Sequence, residues 1–337
     1  MTEAVQNTFR TFMLDGALFG PTGQSIPIEL TRVDVPLNLI HPASSEGHNP
    51  SSILPNAPPR PPSRLPHPGN ATLSGSLGDF IGDGRTGLVY TLSNPHISGI
   101  NTHSGSNATI PPVILKFARP NRCADLNREA WFYEEMECLQ GVALARCYGL
   151  YEADVPSSSQ CSIRLPPNGW TVLDEEESPD KYVDAEQHPR LTELRERRDR
   201  LSVLVLERLG DGIPVGKPIS SDVREDLMSL IDEIGHLGIR NCNDIRWANI
   251  LRAPQPTPRQ PSLGPGPSTN GSDSGIVLPS LVSPYTNRTH DWRIIDFELA
   301  EKTCQTAKYL RLQHHMWLKD ILEGLPKGYV AGERVSE

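Results

Sequence analysis

An α+β chain is predicted from three observations. Short β-prone runs precede and follow a helical stretch near residues 125–139. A strong amphipathic helix then occupies residues 222–238, and a last helical segment spans 303–323. Pro and Gly, at 32 and 27 of 337 residues, exceed ordinary usage and confine regular structure to part of the chain.

The elements follow in order. Residues 1–40 form an N-terminal extension with weak alternation at Phe12–Leu14 and Ile26–Leu30, enough for short strands. Residues 41–72 are expected as a disordered linker, because nine prolines fall within positions 41–70. Leu77–Phe80 and Leu88–Leu92 read as strands around a glycine turn, Val113–Ala118 as a third, and Leu144–Tyr151 as a fourth. Asp125 begins a helix with Leu126, Ala130 and Tyr133 on one face. Leu201–Leu206 is a further apolar strand. Asp222, with Glu225 three residues on, starts a helix that Gly238 ends. In the last segment Leu310, Trp317 and Ile321 share a face. Polar insertions are expected at 93–112 and 154–200, and a disordered one at 253–290.

A net charge of −9 argues against a nucleic-acid partner, which needs a basic face. No apolar run is long enough for a membrane span, and nothing resembles an export signal. The six cysteines show neither CxxC nor metal-ligand spacing, which fits a reducing compartment. Four N-x-[ST] sequons then stay idle, and an intracellular location, cytoplasmic or nuclear, is expected. His314-His315 lacks ligand spacing.

Chemistry concentrates in a few places. Gly82-Asp83-Gly84-Arg85-Thr86-Gly87-Leu88-Val89 fits G-x-G-x-x-G-x-V between two strands, where glycines let backbone approach phosphates. Lys116 sits inside an apolar strand and needs an anion, which Glu129 on the next helix supplies. Asn243-Asp244-Ile245-Arg246-Trp247-Ala248-Asn249 places an acid, a cation and an amide just ahead of a short strand. Ile294-Ile295-Asp296-Phe297 adds a second acid. Phosphoryl transfer needs such parts: a carboxylate to orient a hydroxyl, and oxygens to hold magnesium.

In order and spacing these residues resemble the protein-kinase-like superfamily over about residues 77–300, and divergent fungal kinase-like proteins in particular. The resemblance implies a two-lobed fold: a small β-rich lobe with one helix at 73–207, and a reduced helical lobe at 208–337. It implies that Gly82, Gly84, Gly87 and Val89 cover ATP, that Lys116 and Glu129 grip its phosphates, and that backbone groups of Glu207 and Leu209 meet the adenine. Asp244 would be the catalytic base, Arg246 would steady the γ-phosphate, and Asn249 and Asp296 would hold Mg²⁺.

Cys242-Asn243 stands in place of His-Arg, and Glu298 in place of the glycine of D-F-G. Asp296-x-Glu298 is similar to choline and aminoglycoside kinases. Three functions therefore stay open: a Ser/Thr-type protein kinase, a small-molecule kinase with a hydroxyl acceptor, and a non-catalytic scaffold whose Pro-rich segments recruit partners.

Overall fold

The computed structural model describes residues 2–3, 6–42, 57–99, 108–120, 122–155, 161–164, 188–197, 199–241, 245–254 and 280–328. Asp244 lies outside the described residues, as do most of the sequence segments read as insertions at 154–200 and 253–290.

Fourteen strands are described: β1 (Thr2–Glu3), β2 (Phe9–Phe19), β3 (Ser25–Arg32), β4 (Ala71–Asp83), β5 (Gly87–Ser98), β6 (Ala108–Thr109), β7 (Val113–Ala118), β8 (Cys147–Asp154), β9 (Ser162–Ile163), β10 (Arg200–Glu207), β11 (Ile239–Arg240), β12 (Ile250–Arg252), β13 (Trp292–Ile294) and β14 (Glu301–Lys302). Four α-helices accompany them: α1 (Cys123–Glu135), α2 (Pro189–Glu196), α3 (Ser221–Gly235) and α4 (Ala307–Gly324).

The expected two-lobed kinase-like fold does not form. Seven strands in the order β3-β8-β10-β7-β5-β4-β2 close into a barrel because β2 also pairs with β3. Residues 9–32 make that closure. Their alternating apolar positions give the β2–β3 hairpin, which runs antiparallel from Thr11↔Thr31 to Phe19↔Ser25. The hairpin then bridges the two strands that would otherwise be edges. β2 lies parallel to β4 (Phe12↔Leu73), and β3 meets β8 at Thr31↔Glu152 and Arg32↔Tyr151. Closure removes every free edge from the ring, which an open sheet would have to protect by other means.

Alternation along each strand separates two cores. Phe9, Phe12, Leu14, Leu73, Leu88, Tyr90, Leu115, Phe117, Tyr151, Val203 and Val205 fill the barrel. Leu150, Leu204 and Leu206 point outward instead, into a second core with α1, α3 and α4. Lys116 follows the same rule. Its neighbours Leu115 and Phe117 face the barrel interior, so its own side chain projects outward.

The helices depart in detail from the sequence reading. In α1 burial is nearly all-round and includes Asn127, Glu129 and Glu135, because residues 33–40 cover it from outside: Val35, Leu39 and Ile40 join its core, and the Trp131 indole donates to the Leu37 carbonyl. Ser220, one residue before the helix, caps α3 by accepting from the Val223 amide. Thr306 caps α4 in the same way, through Tyr309. On α4 the buried positions include Leu310, Leu318 and Ile321, while Trp317 is 47% exposed and is not part of that face.

Candidate functional site

Three elements bring the central charges together. β7 presents Lys116 outward beneath the β4–β5 turn, and α1 crosses that face carrying Glu129. β12 and β13 pair at Ile250↔Ile294, which sets Asn249, just before β12, beside Asp296, just after β13. The Ile295 amide donates to the Asn249 carbonyl at 3.0 Å and fixes that register.

The Lys116 ammonium donates to Glu129 Oε2 at 2.6 Å and to Asp296 Oδ1 at 2.7 Å. The Asn249 amide nitrogen reaches Asp296 Oδ2 at 3.5 Å. Asp296 adopts a left-handed φ of 66°, a conformation that costs on the order of 1 kcal/mol for a non-glycine residue and recurs at functional sites. Arg85, at the tip of the β4–β5 turn, donates to Glu298 Oε1 from Nη2 at 2.7 Å and from Nε at 3.0 Å.

One lysine therefore faces three carboxylates, Glu129, Asp296 and Glu298. Burial works against the charge on Lys116, yet Asp296, Glu129 and Glu298 outweigh it and hold the pKa above the ordinary lysine range. Burial pushes the Glu129 carboxyl up to about 7 against the pull of Lys116. For Asp296 burial also disfavours ionisation, but Lys116, Arg246 and Arg85 more than offset it and the pKa falls. Glu298, buried and next to charged Asp296, is raised. With Arg85 on Glu298 and Arg246 near Asp296, the three carboxylates are matched by three cations.

The glycine turn divides by role. A Cβ on Gly87 would lie 2.0 Å from the Phe117 carbonyl oxygen, so this glycine serves close strand packing. A Cβ on Gly82 or Gly84 would meet nothing within 4 Å, so both of these glycines border open space. Arg119 clamps the turn from below, donating from Nε to the Gly84 carbonyl and pairing through Nη2 with Asp83. Val89 stands directly opposite Lys116 in the β5–β7 register.

The structure thus gathers Gly82, Gly84, Val89, Lys116, Glu129, Asn249 and Asp296, with Arg246 close enough to lower the Asp296 pKa. Glu207 uses its carboxylate and its amide within the fold. Its carboxylate pairs with Arg146 at 2.6 Å and its amide donates to the Arg146 carbonyl at 2.8 Å. Leu209 packs, half-buried, against the second core. Sequence reasoning missed Arg128, which holds the segment after Asp296 by donating to the Glu298 and Ala300 carbonyls. An arginine on a helix carries no mark that separates this job from solvation.

No group of three or more His, Cys, Asp and Glu placed to hold a metal occurs among the described residues. Magnesium fits a different pattern, with one or two carboxylates completed by water and phosphate oxygens. Asp296 supplies the carboxylate, and the Asn249 amide turned over supplies a second hard oxygen. Glu298 Oε2 is a buried acceptor with no hydrogen-bond partner. These donors suit a hard cation brought in with a phosphate.

No family model matches the chain, and no curated protein matches its sequence. Among solved structures it is similar to WaaP, determined in complex with acyl carrier protein. The sequence identity is 12%, the TM-score is 0.26, and the alignment covers 70% of this chain and 67% of that one. A likeness that slight decides neither fold nor activity. No helix among the described residues is long and apolar enough to cross a membrane.

Proposed function

We propose that this chain binds a magnesium nucleoside triphosphate, ATP in the first instance, and passes its terminal phosphoryl group to a hydroxyl acceptor. The observation that carries this reading is the Lys116 ammonium held between Glu129 and Asp296 beneath a glycine turn that borders open space.

Lys116 would turn its charge to phosphate oxygens while Glu129 keeps it in place. Asp296 and Asn249 would hold the metal, which when bound neutralises phosphate charge. Gly82 and Gly84 leave room for backbone to approach the phosphates, and Arg246 adds positive charge near Asp296. Asp244, two residues before Arg246 and outside the described residues, is the candidate to accept the hydroxyl proton. Arg246 favours a protein hydroxyl as acceptor. Glu298 favours a small alcohol.

A second reading has one observation behind it. Lys116 and Asp296 already neutralise each other, so the cluster could serve only as a structural ion-pair network. Calorimetry separates the two. Magnesium-dependent ATP binding by the native protein, lost in Lys116→Met and in Asp296→Asn, supports the nucleotide reading; equal heats from all three proteins would overturn it. Labelled ATP with a cell lysate then shows whether phosphoryl transfer reaches protein or metabolite.

A further inference from the structure

The C-terminal end of α1 poses an electrostatic problem. Glu134 and Glu135 are adjacent, Glu137 follows, and the last turn contains no basic residue. A helix C-terminus already carries partial negative charge, so acids there are unfavourable unless cations come from elsewhere. Glu135 is almost fully buried.

Two cations arrive from distant parts of the chain. Lys302, in β14, donates to Glu135 Oε1 at 2.6 Å and to the Leu237 carbonyl at 2.7 Å. Arg60, 75 residues before Glu135, donates from Nε to its Oε2 at 2.7 Å and from Nη1 to Glu134 Oε2 at 3.4 Å. The same guanidinium lies 5.5 Å from the centre of the Trp131 ring. The chain around Arg60 is fastened as well. The Ser63 hydroxyl donates to Glu137 Oε2 at 2.5 Å and the Arg64 amide donates to Glu137 Oε1 at 2.7 Å. Pro58 packs on Gly238, where an added Cβ would lie 2.7 Å from the proline ring.

We propose that Arg60 is a positioning residue for the Lys116–Glu129 pair. Residues 57–64 act as a strap that fixes the C-terminal half of α1, and with it the carboxylate that holds the lysine. Arg128 ties α1 to the Asp296 segment through the Glu298 and Ala300 carbonyls, while the strap anchors the helix about two turns further on. Glu129 sits between these ties, so its distance to Lys116 depends on both. Removing Arg60 leaves Glu134 and Glu135 side by side, with Lys302 on Glu135 and the charge of Arg32 near Glu134 to balance them.

The nucleotide arm of the test rests on the proposed function, and the exchange arm does not. Arg60→Ala is expected to weaken magnesium-ATP affinity about tenfold and to speed amide exchange within residues 123–135, with exchange in β5 and β7 unchanged. Arg60→Lys should recover most of both effects, since one ammonium can still reach Glu135. Glu137→Ala removes both acceptors of the strap without stranding a buried charge, and serves if Arg60→Ala does not fold; a smaller change in the same direction is expected. Unchanged exchange across α1 in a folded variant would overturn the proposal. Should the native protein bind no nucleotide, faster α1 exchange together with faster acylation of Lys116 by an amine-reactive ester upholds the strap and sinks the nucleotide reading alone.

Discussion

Arg85 and Glu298 close a two-pronged ion pair, 213 residues apart in sequence, that links the glycine turn to the segment carrying Asp296. Glu298 is 7% exposed and its second oxygen has no hydrogen-bond partner, so Arg85 supplies the hydrogen bonds this buried carboxylate has. Arg85→Ala is expected to cost about 1–2 kcal/mol of stability, because it strands that acid. Glu298→Gln in the same background should return most of the loss. A urea-unfolding double-mutant cycle reads the coupling, and strictly additive effects would show that the pair does not hold the turn down.

Lys116→Met should destabilise the folded chain by about 3 kcal/mol, since it leaves buried Glu129 and half-buried Asp296 without the ammonium that joins them. The loss should shrink at lower pH. With the lysine gone Glu129, already raised to about 7 by burial, takes up a proton and sheds its charge. Unfolding midpoints at pH 6 and pH 8 test this, and a loss independent of pH would contradict it.

Gly87→Ala and Gly84→Ala should behave oppositely. At Gly87 a methyl group meets the Phe117 carbonyl, and the β5–β7 pairing must shift at a cost of about 1–3 kcal/mol. At Gly84 the space is open, so stability should change by less than about 0.5 kcal/mol. Any fall in nucleotide affinity in Gly84→Ala would then report on the site. Melting curves of the two variants, taken with a nucleotide titration, separate packing from binding.

His314 contributes an acid-side slope. Burial, with the neighbouring His315, pushes its pKa down to about 4, below the roughly 6.5 of an unfolded histidine. Between those values the unfolded chain binds the extra proton, so stability is full above about pH 6.5 and falls toward pH 4 by about 3 kcal/mol. His314→Gln should flatten that part of the curve. Urea unfolding at half-unit pH steps checks it, and an unaltered slope in the variant would reassign the effect to other groups.

Lys116 was legible because a lysine inside an apolar strand asks for an anion. Glu129, Asn249 and Asp296 were legible only through their order and spacing, since each alone reads as an ordinary polar position, and the structure brings all four together. The barrel was not legible. Its closure depends on parallel pairing of β2 with β4 and on the two-residue seam between β3 and β8, neither of which leaves a mark on local pattern. Arg60, Arg128 and Arg146 were equally hidden, since a buried arginine and a solvated one look the same along the chain. Nothing in the local pattern marked the Glu207 carboxylate and amide as partners of Arg146.

The hairpin that seals the ring is the first piece of it to leave the ribosome, while β10, which lies between β7 and β8, comes some 170 residues later. β4 can pair with β2, and β8 with β3, before β10 emerges, but the ring stays open between β7 and β8 until that late strand fills the gap. Completion of the ring is expected to be slow for a chain of this size, with the edges of β7 and β8 open to wrong pairings until then.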